Sequence, residues 1–209
     1  DLREGVPLED LLQVAGGIVA ERRLRLLGVS TNYACFHGPS DGIRRSVEAV
    51  AMAARALCQA GIRVERVSGG NSSLLALVLA GESLPDEITE LRCGEALLLG
   101  QEALHYSRIP GCDCACRLRA QVLEEYTKPA REGAPRRLVL GVGRQDLGSG
   151  ALSFVEPGLR ESGRSGDYLV VEAEAATCGT WIGRTVEMIP SYDALVAAWT
   201  SPYVQLCLS

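Results

Sequence analysis

Three short, mostly apolar runs in the first half of the chain constrain its fold more than any other feature. They occupy residues 24–31, 63–67 and 88–93, a length and composition typical of buried parallel strands. Between the first two runs, apolar residues recur at helical spacing from Ile43 to Cys58, and Gly61 stands where a glycine commonly ends a helix. A shorter apolar helix is predicted over 74–79. Strands and helices that alternate at this spacing predict parallel βα units.

Three βα units do not close a sheet by themselves. The rest of the sequence offers no further parallel strands, so an open half-sheet would expose a long edge. We therefore expect either that another chain completes the sheet or that the sequence is a piece of a longer protein.

The second half of the sequence predicts an antiparallel β domain. Turns rich in Gly, Ser and Pro separate the predicted strands, and a helical turn is expected at 192–199. The strands are expected over 112–123, 137–142, 167–173 and 181–189. The fold class is therefore α/β, with a βα domain at 1–104 and a β domain at 105–209.

Charge and composition exclude several classes of function. Lys and Arg number 21 against 26 Asp and Glu, and a net charge of −5 without a basic cluster provides no attraction for nucleic acid. The apolar runs fall far short of the ~20 residues of a membrane helix. The first residues contain no apolar signal segment, so a cytoplasmic protein is expected.

The eight cysteines are interpreted as reduced thiols rather than as disulfides or metal ligands. Cys112, Cys114 and Cys116 have a C-x-C-x-C spacing unlike that of common zinc sites, and His105 is the nearest histidine. On a strand these thiols would share one face, as small buried residues do. We therefore expect no metal site.

Glycine and polar residues follow the predicted strands, at the ends where parallel βα folds bind ligands. The segment Ser-Gly-Gly-Asn-Ser-Ser at 68–73 has the glycines, the hydroxyls and the following helix of a phosphate cradle. Its alternative is a glycine turn with a serine N-cap. Arg92 is either a cation that faces a ligand or one half of a structural salt bridge, and Asn32 either orients a ring or satisfies loop backbone.

These segments resemble the PLP-dependent alanine/ornithine racemase family of fold type III, and its ornithine racemase branch in particular. The similar stretches are residues 28–35, 67–73, 91–100, 143–146 and 200–204. The resemblance implies the last strands of a TIM-type (β/α) barrel followed by an antiparallel β domain. It also implies a homodimer that uses pyridoxal 5'-phosphate (PLP) to racemise an amino acid of the ornithine, lysine or alanine type.

The resemblance assigns cofactor contacts residue by residue. Arg92 matches the arginine that faces the pyridine nitrogen of PLP; a permanent cation there disfavours protonation of that nitrogen and limits stabilisation of the carbanion that racemisation requires. The other matches are Arg3 for the phenolic oxygen, Asn32 in place of a histidine that backs the arginine, Asn71 and Ser72 for the phosphate, and Gly94 and Glu95 for the backbone that completes the phosphate cup.

Two features depart from the family. Its Schiff-base lysine lies on the first barrel strand, whereas the single lysine here is Lys128 in a predicted turn, so we expect a truncated racemase without that lysine. The family's second acid/base, a tyrosine, has no aligned counterpart; Cys35, Asp146 and Tyr192 are the candidates, each also explicable as a turn or packing residue. A non-catalytic PLP-binding protein is the alternative function, and a module that binds a phosphate ligand is the third.

Overall fold

The computed structural model divides the chain into two compact units, which are treated separately below. Unit 1 is Asp1–Asp113 and unit 2 is Cys114–Ser209. The described residues are 4–33, 40–127, 136–174 and 179–208. The domain boundary expected after residue 104 stays a prediction. Among the described residues, no helix is both long enough and apolar enough to cross a bilayer.

Unit 1 combines helices with a small parallel sheet. After a 3-10 turn at Leu8–Asp10, its elements are α1 (Leu11–Ala20), β1 (Gly28–Ser30), α2 (Ser40–Gln59), β2 (Arg66–Ser68), α3 (Ser72–Leu79) and α4 (Gly94–Leu99). β1 and β2 pair in parallel with Ser30 opposite Ser68. The predicted strands at 24–31 and 63–67 are therefore present, although each is only three residues long.

The third predicted strand, at 88–93, is wrong as a strand. Within it, Glu90 forms a single parallel bridge to Ser68. The segment starts in a turn, where the N–H of Ile88 donates to the carbonyl of Pro85 at 3.0 Å, and it ends at Cys93, the N-cap of α4. Too few residues remain between the turn and the helix for a longer strand. Closure of unit 1 into a partial barrel stays a prediction.

α2 covers one face of the β1–β2 pair, as its apolar spacing predicts. Val50 and Ala54 of α2 pack with Val67 of β2, and the half-buried Val29 of β1 joins them. Because side chains alternate across a strand, Ser30 and Ser68 lie on the opposite face. The predicted C-terminal glycine is also confirmed, since Gly61 has a φ of 76° just beyond α2.

The described residues of unit 2 form a six-stranded antiparallel sheet and two helices, which confirms the antiparallel strands predicted for this half of the sequence. Its elements are β3 (Leu118–Thr127), β4 (Arg136–Leu140), α5 (Arg144–Leu147), β5 (Leu152–Phe154), β6 (Leu159–Arg164), β7 (Leu169–Ala173), β8 (Thr185–Pro190) and α6 (Tyr192–Thr200). The strand order is β5-β8-β3-β4-β7-β6. The predictions found β3, β4, β7, β8 and α6 and missed β5 and β6. The core is built from inward-facing residues such as Leu138, Val171 and Met188.

The cysteine cluster differs from its prediction. β3 begins at Leu118, so Cys112, Cys114 and Cys116 precede the strand and do not alternate along one of its faces. Cys114 is buried, Cys116 is half-buried and Cys112 is exposed. The core interpretation therefore applies fully to Cys114. Burial raises the pKa of the Cys116 thiol, which favours its protonated form.

Candidate functional site

The carboxyl ends of β1 and β2 lie side by side in unit 1, and the candidate site is built on them. Beyond the paired residues, the N–H of Thr31 donates to the carbonyl of Ser68 at 3.1 Å. The two strands approach this closely because Gly28 has no side chain: a Cβ on Gly28 would lie 1.8 Å from the carbonyl oxygen of Arg66. The segments 31–33 and 69–73, which follow the two strands, therefore become neighbours.

Asn71 is the N-cap of α3, rather than one of the serines. Its side-chain oxygen accepts hydrogen bonds from the backbone N–H of Ser73 at 2.9 Å and from the Ser73 hydroxyl at 2.5 Å. Ser72 and Ser73 are buried as the first residues of the helix. The first N–H groups of a helix have no helical acceptor, and the helix dipole makes this end electropositive. The start of α3 is therefore suited to bind an anion such as phosphate.

The two glycines before α3 have different roles. Gly69 is tightly packed, since a Cβ there would lie 3.1 Å from the side chains of Ile88 and Leu74. Gly70 has a φ of +131°, which other residues rarely adopt, and the nearest neighbour of an added Cβ would be the Thr31 carbonyl at 3.9 Å. Gly69 thus serves packing, while Gly70 keeps the space before α3 open.

The residues after β1 hold the start of α3 in place. The Nδ2 of Asn71 donates to the Oδ1 of Asn32 at 2.9 Å, and the Ser73 hydroxyl oxygen, whose proton faces the Oδ1 of Asn71, lies 3.3 Å from the Tyr33 carbonyl oxygen. The ring of Tyr33 packs on Gly42 of α2, where an added Cβ would lie 2.1 Å from a ring carbon. Asn32 therefore contacts the predicted phosphate-binding residue Asn71.

Arg92 reaches across the sheet to the end of β1. Its guanidinium Nη2 donates to the carbonyl of Thr31 at 2.6 Å, while its backbone N–H donates to the Gly70 carbonyl at 2.9 Å. Because β2 lies between β1 and the segment of Arg92, the side chain must cross the end of β2. Within the described part of the chain no carboxylate pairs with Arg92, so the alternative of a structural salt bridge gains no support.

Ser68 is a candidate site residue that the sequence analysis did not single out. Only 3% of the residue is exposed, and among the described residues its hydroxyl has no hydrogen-bond partner. It shares the sheet face opposite α2 with Ser30 and Glu90, between which it stands. A buried hydroxyl without a partner costs about 1–3 kcal/mol, which a bound ligand or water would recover. The sequence feature that could have identified Ser68 is its place next to the apolar Val67 on a strand, which puts its side chain on the face opposite that of Val67.

Gly94 and Glu95 are the first two residues of α4. The carboxylate of Glu95 accepts a hydrogen bond from the Nε2 of Gln101 at 2.8 Å. Burial raises the pKa of the thiol of the preceding Cys93, which favours its neutral form. The backbone assignment of Gly94 and Glu95 stays a prediction.

A buried carboxylate, Glu102, organises the loop after α4. It accepts hydrogen bonds from the backbone N–H groups of Leu104, His105 and Ser107 at 2.6 to 3.0 Å. Burial alone would raise the pKa of this carboxyl, but the three hydrogen bonds outweigh burial and lower the pKa from its ordinary value. The loop also holds Tyr106 at a φ of 56°, a strained conformation for a residue with a side chain.

The acid/base candidates Asp146 and Tyr192 lie in unit 2. Asp146 is buried: one carboxylate oxygen accepts from the N–H of Gly143 at 3.0 Å and the other from the Ser201 hydroxyl at 2.8 Å. It therefore caps α5 and anchors the segment after α6. Tyr192 is the exposed first residue of α6. Arg3 and Cys35 lie outside the described residues, as does Lys128. All of these catalytic and cofactor assignments stay predictions.

Sequence comparisons connect the chain with amino-acid racemases. Residues 1–102 match a family model described as alanine racemase, N-terminal domain. An ornithine racemase from Acetoanaerobium sticklandii is 28% identical over 98% of this chain and 64% of its own length. A lysine racemase from Thermotoga maritima is 27% identical over 98% of this chain and 62% of its own length. The chain thus spans less than two-thirds of the length of these relatives.

Solved structures share the fold at low sequence identity. A D-threonine aldolase from Filomicrobium marinum matches 94% of this chain and 53% of its own with a TM-score of 0.71 and 19% identity. An alanine racemase from Bartonella henselae with covalently bound pyridoxal phosphate matches 97% of this chain and 58% of its own with a TM-score of 0.59 and 18% identity. The family match and the two racemases support the alanine racemase-like family, and the structures show a fold of that type.

Proposed function

We propose that this chain acts in the PLP-dependent racemisation of an amino acid of the ornithine, lysine or alanine type. One observation carries the proposal: the start of α3, which is suited to an anion, and the cation of Arg92 lie at the end of one pair of parallel strands. The similarity to an ornithine racemase and a lysine racemase supports the reaction and favours a basic amino acid as substrate.

The residues present fit PLP. The buried hydroxyl of Ser68 has no hydrogen-bond partner among the described residues, and the nearest neighbour of a Cβ added to Gly70 would be the Thr31 carbonyl oxygen, 3.9 Å away. Both features are expected beside a bound group. The phosphate would be held by the first N–H groups of α3 and the Ser72 hydroxyl, with the backbone of Gly94 and Glu95 as the proposed remainder of the cup. When bound, PLP supplies an electron-withdrawing ring that makes the Cα proton of an amino acid acidic.

Arg92 is the residue that would tune this chemistry. An arginine keeps its charge at all physiological pH values, and a nearby positive charge opposes protonation of a pyridine nitrogen. The Thr31 carbonyl occupies one of the five N–H donors of its guanidinium and fixes its position, and no other described residue occupies the remaining donors. The acid and base that exchange the Cα proton stay to be identified, with Cys35, Asp146 and Tyr192 as the predicted candidates. A homodimer and a cytoplasmic location belong to the same proposal.

Binding and turnover of the 209-residue chain test the proposal separately. Equilibrium dialysis is expected to show tighter binding of PLP than of pyridoxal, which lacks the phosphate. Arg92→Gln is expected to weaken binding, whereas Arg108→Gln, which removes an exposed arginine beyond α4, is the matched control. Chiral chromatography of L-ornithine and L-lysine incubated with the protein and PLP measures racemisation. A chain that binds no PLP and forms no D-isomer refutes the proposal.

A PLP-binding protein without catalysis is the second candidate, and the single lysine of the sequence favours it. We place the cofactor's lysine outside these 209 residues, so Lys128→Ala is expected to leave PLP binding unchanged. Because this chain would then lack the cofactor's lysine, both candidates predict PLP binding without a D-isomer from the 209 residues. A longer protein that contains the lysine separates them, since it forms the D-isomer only if the first candidate is correct. A D-isomer that disappears in Lys128→Ala shows instead that Lys128 takes part.

A further inference from the structure

We infer that Asn32 is a positioning residue for phosphate recognition, acting through the side-chain amide of Asn71. The inference rests on the proposed function, because it concerns how the same site holds the phosphate of PLP. It differs from the role that the family resemblance gives to this position, which is to back the arginine at the ring nitrogen.

The hydrogen bonds around Asn71 fix which way its amide points. An N-cap needs an oxygen, so the Oδ1 of Asn71 must face the N–H of Ser73, where it accepts at 2.9 Å. The Nδ2 then points away from α3 and donates to the Oδ1 of Asn32 at 2.9 Å, with a longer contact of 3.5 Å to the Tyr33 carbonyl. Both contacts are partly buried, which strengthens them relative to contacts in water.

The orientation of this amide matters for an anion. If the amide of Asn71 rotated, its oxygen would leave the N–H of Ser73, the cap would be lost, and a lone pair would be free to turn toward the phosphate. The lone pair would repel the phosphate, and loss of the cap would destabilise the first turn of α3, whose N–H groups are proposed to bind it. Asn32 therefore stabilises the one orientation in which the start of α3 keeps its cap and its donors.

Arg92 is held by a different atom. Its guanidinium bonds the backbone carbonyl of Thr31, which a substitution of the side chain of residue 32 does not remove. A change at Asn32 is therefore expected to affect the phosphate end of the site and to leave the ring end intact.

The test compares two probes on four proteins. Dissociation constants for PLP and for pyridoxal are measured with wild type, Asn32→Ala, Asn71→Ser and the double variant. Serine keeps an N-cap oxygen, but its side chain is one atom shorter and does not reach the Oδ1 of Asn32, so it removes the contact and preserves the cap. Asn32→Ala is expected to weaken PLP binding by about five- to tenfold, the value of one hydrogen bond, with pyridoxal unchanged. In the Asn71→Ser background, Asn32→Ala is expected to add less than about twofold.

The other outcomes are equally informative. If Asn32→Ala weakens PLP and pyridoxal equally, Asn32 acts at the ring and the inference is wrong. Additive effects of the two substitutions overturn it as well. A chain that binds neither probe refutes the proposed function and the role in phosphate recognition with it. Urea unfolding of the same four proteins tests the contact separately: additive midpoints overturn the inference whatever the chain binds, and non-additive midpoints show that Asn32 and Asn71 are coupled.

A second measurement follows Asn71 directly. Asn32 and Asn71 are the two asparagines of the sequence, so labelling with ¹⁵N-asparagine gives two pairs of side-chain amide signals, one pair from each residue. Asn32→Ala removes one of them and is expected to speed solvent exchange of the remaining Nδ2 protons. An unchanged exchange rate would contradict the proposed contact.

Discussion

Gly28→Ala is the substitution that most directly tests how the site is built. The added Cβ would lie 1.8 Å from the carbonyl oxygen of Arg66, whereas real Cβ contacts are essentially never closer than 3.0 Å. β1 and β2 must therefore separate by at least about 1 Å, because both atoms belong to the backbone or are rigidly attached to it. A flexible side chain in contact with the new Cβ could move aside at little energetic cost, whereas the backbone of a paired strand cannot.

The magnitude follows from the hydrogen bonds that such a separation breaks. The Leu27 carbonyl accepts from the N–H groups of Glu65 and Arg66 at 3.0 and 3.1 Å, and Thr31 donates to Ser68 at 3.1 Å. Loss of two or three such bonds at about 1 kcal/mol each lowers the free energy of unfolding by about 2–3 kcal/mol. For a unit of this size, that corresponds to a urea midpoint about 1–2 M lower.

The assay is urea unfolding followed by circular dichroism at 222 nm, since the helices of unit 1 report on it. Gly16→Ala is the matched control: it is a helical glycine with no atom within 4 Å of an added Cβ, and alanine there is expected to stabilise by about 0.5–1 kcal/mol. A Gly28→Ala midpoint equal to that of wild type, together with unchanged PLP affinity, would refute the close approach of β1 and β2 and the site built on it.

Two further substitutions test buried carboxylates. Glu102 has a lowered pKa, so its stabilising contribution is complete above the unfolded carboxyl pKa of about 4.3 and is lost as the pH falls through the folded value. The free energy of unfolding, measured in urea from pH 7 to pH 3, is therefore expected to fall more steeply for wild type than for Glu102→Gln. Parallel curves for the two proteins would contradict the hydrogen bonds assigned to Glu102. Asp146→Ala removes the acceptor of the Gly143 N–H and of the Ser201 hydroxyl, and it is expected to lower the free energy of unfolding of unit 2 by about 2–4 kcal/mol. Unfolding is followed by tryptophan fluorescence, and Asp146→Asn, which keeps one acceptor oxygen, is expected to be less destabilising than Asp146→Ala.

Periodicity predicted the elements whose own residues carry the pattern. The apolar spacing from Ile43 to Cys58 and the glycine at 61 located α2, because the face that the pattern defines is the face that packs on β1 and β2. The short strands were found for the same reason. Their length was overestimated because turns at both ends, which depend on contacts outside the run, determine how many residues can pair.

Elements held mainly by their partners were not predictable. β6 reads Leu-Arg-Glu-Ser-Gly-Arg, with little apolar alternation, and it pairs with β7. Arg160 of β6 forms an ion pair with Glu172 of β7 at 2.5 Å, a contact that the spacing along the chain does not reveal. The role of Asp146 also depends on contacts that the sequence does not show. The Gly143-x-x-Asp146 spacing was taken from a family resemblance, whereas the local capping arrangement explains it in this structure.

The position of Asn32 shows why a family assignment at a site needs geometry. A histidine offers its ring nitrogens separately, while an asparagine carries a donor and an acceptor on one short amide. The Oδ1 of Asn32 meets the Nδ2 of another asparagine, and the arginine bonds the backbone carbonyl one residue earlier instead. A backbone carbonyl is supplied by any residue at position 31, so the hold on Arg92 tolerates substitution there, whereas the hold on Asn71 depends on the side chain of residue 32. The segment 31–33 therefore holds Asn71 through a side chain and Arg92 through a backbone carbonyl. Because the two contacts use different kinds of atom, a mutation at residue 32 can change phosphate recognition without displacing the guanidinium of Arg92.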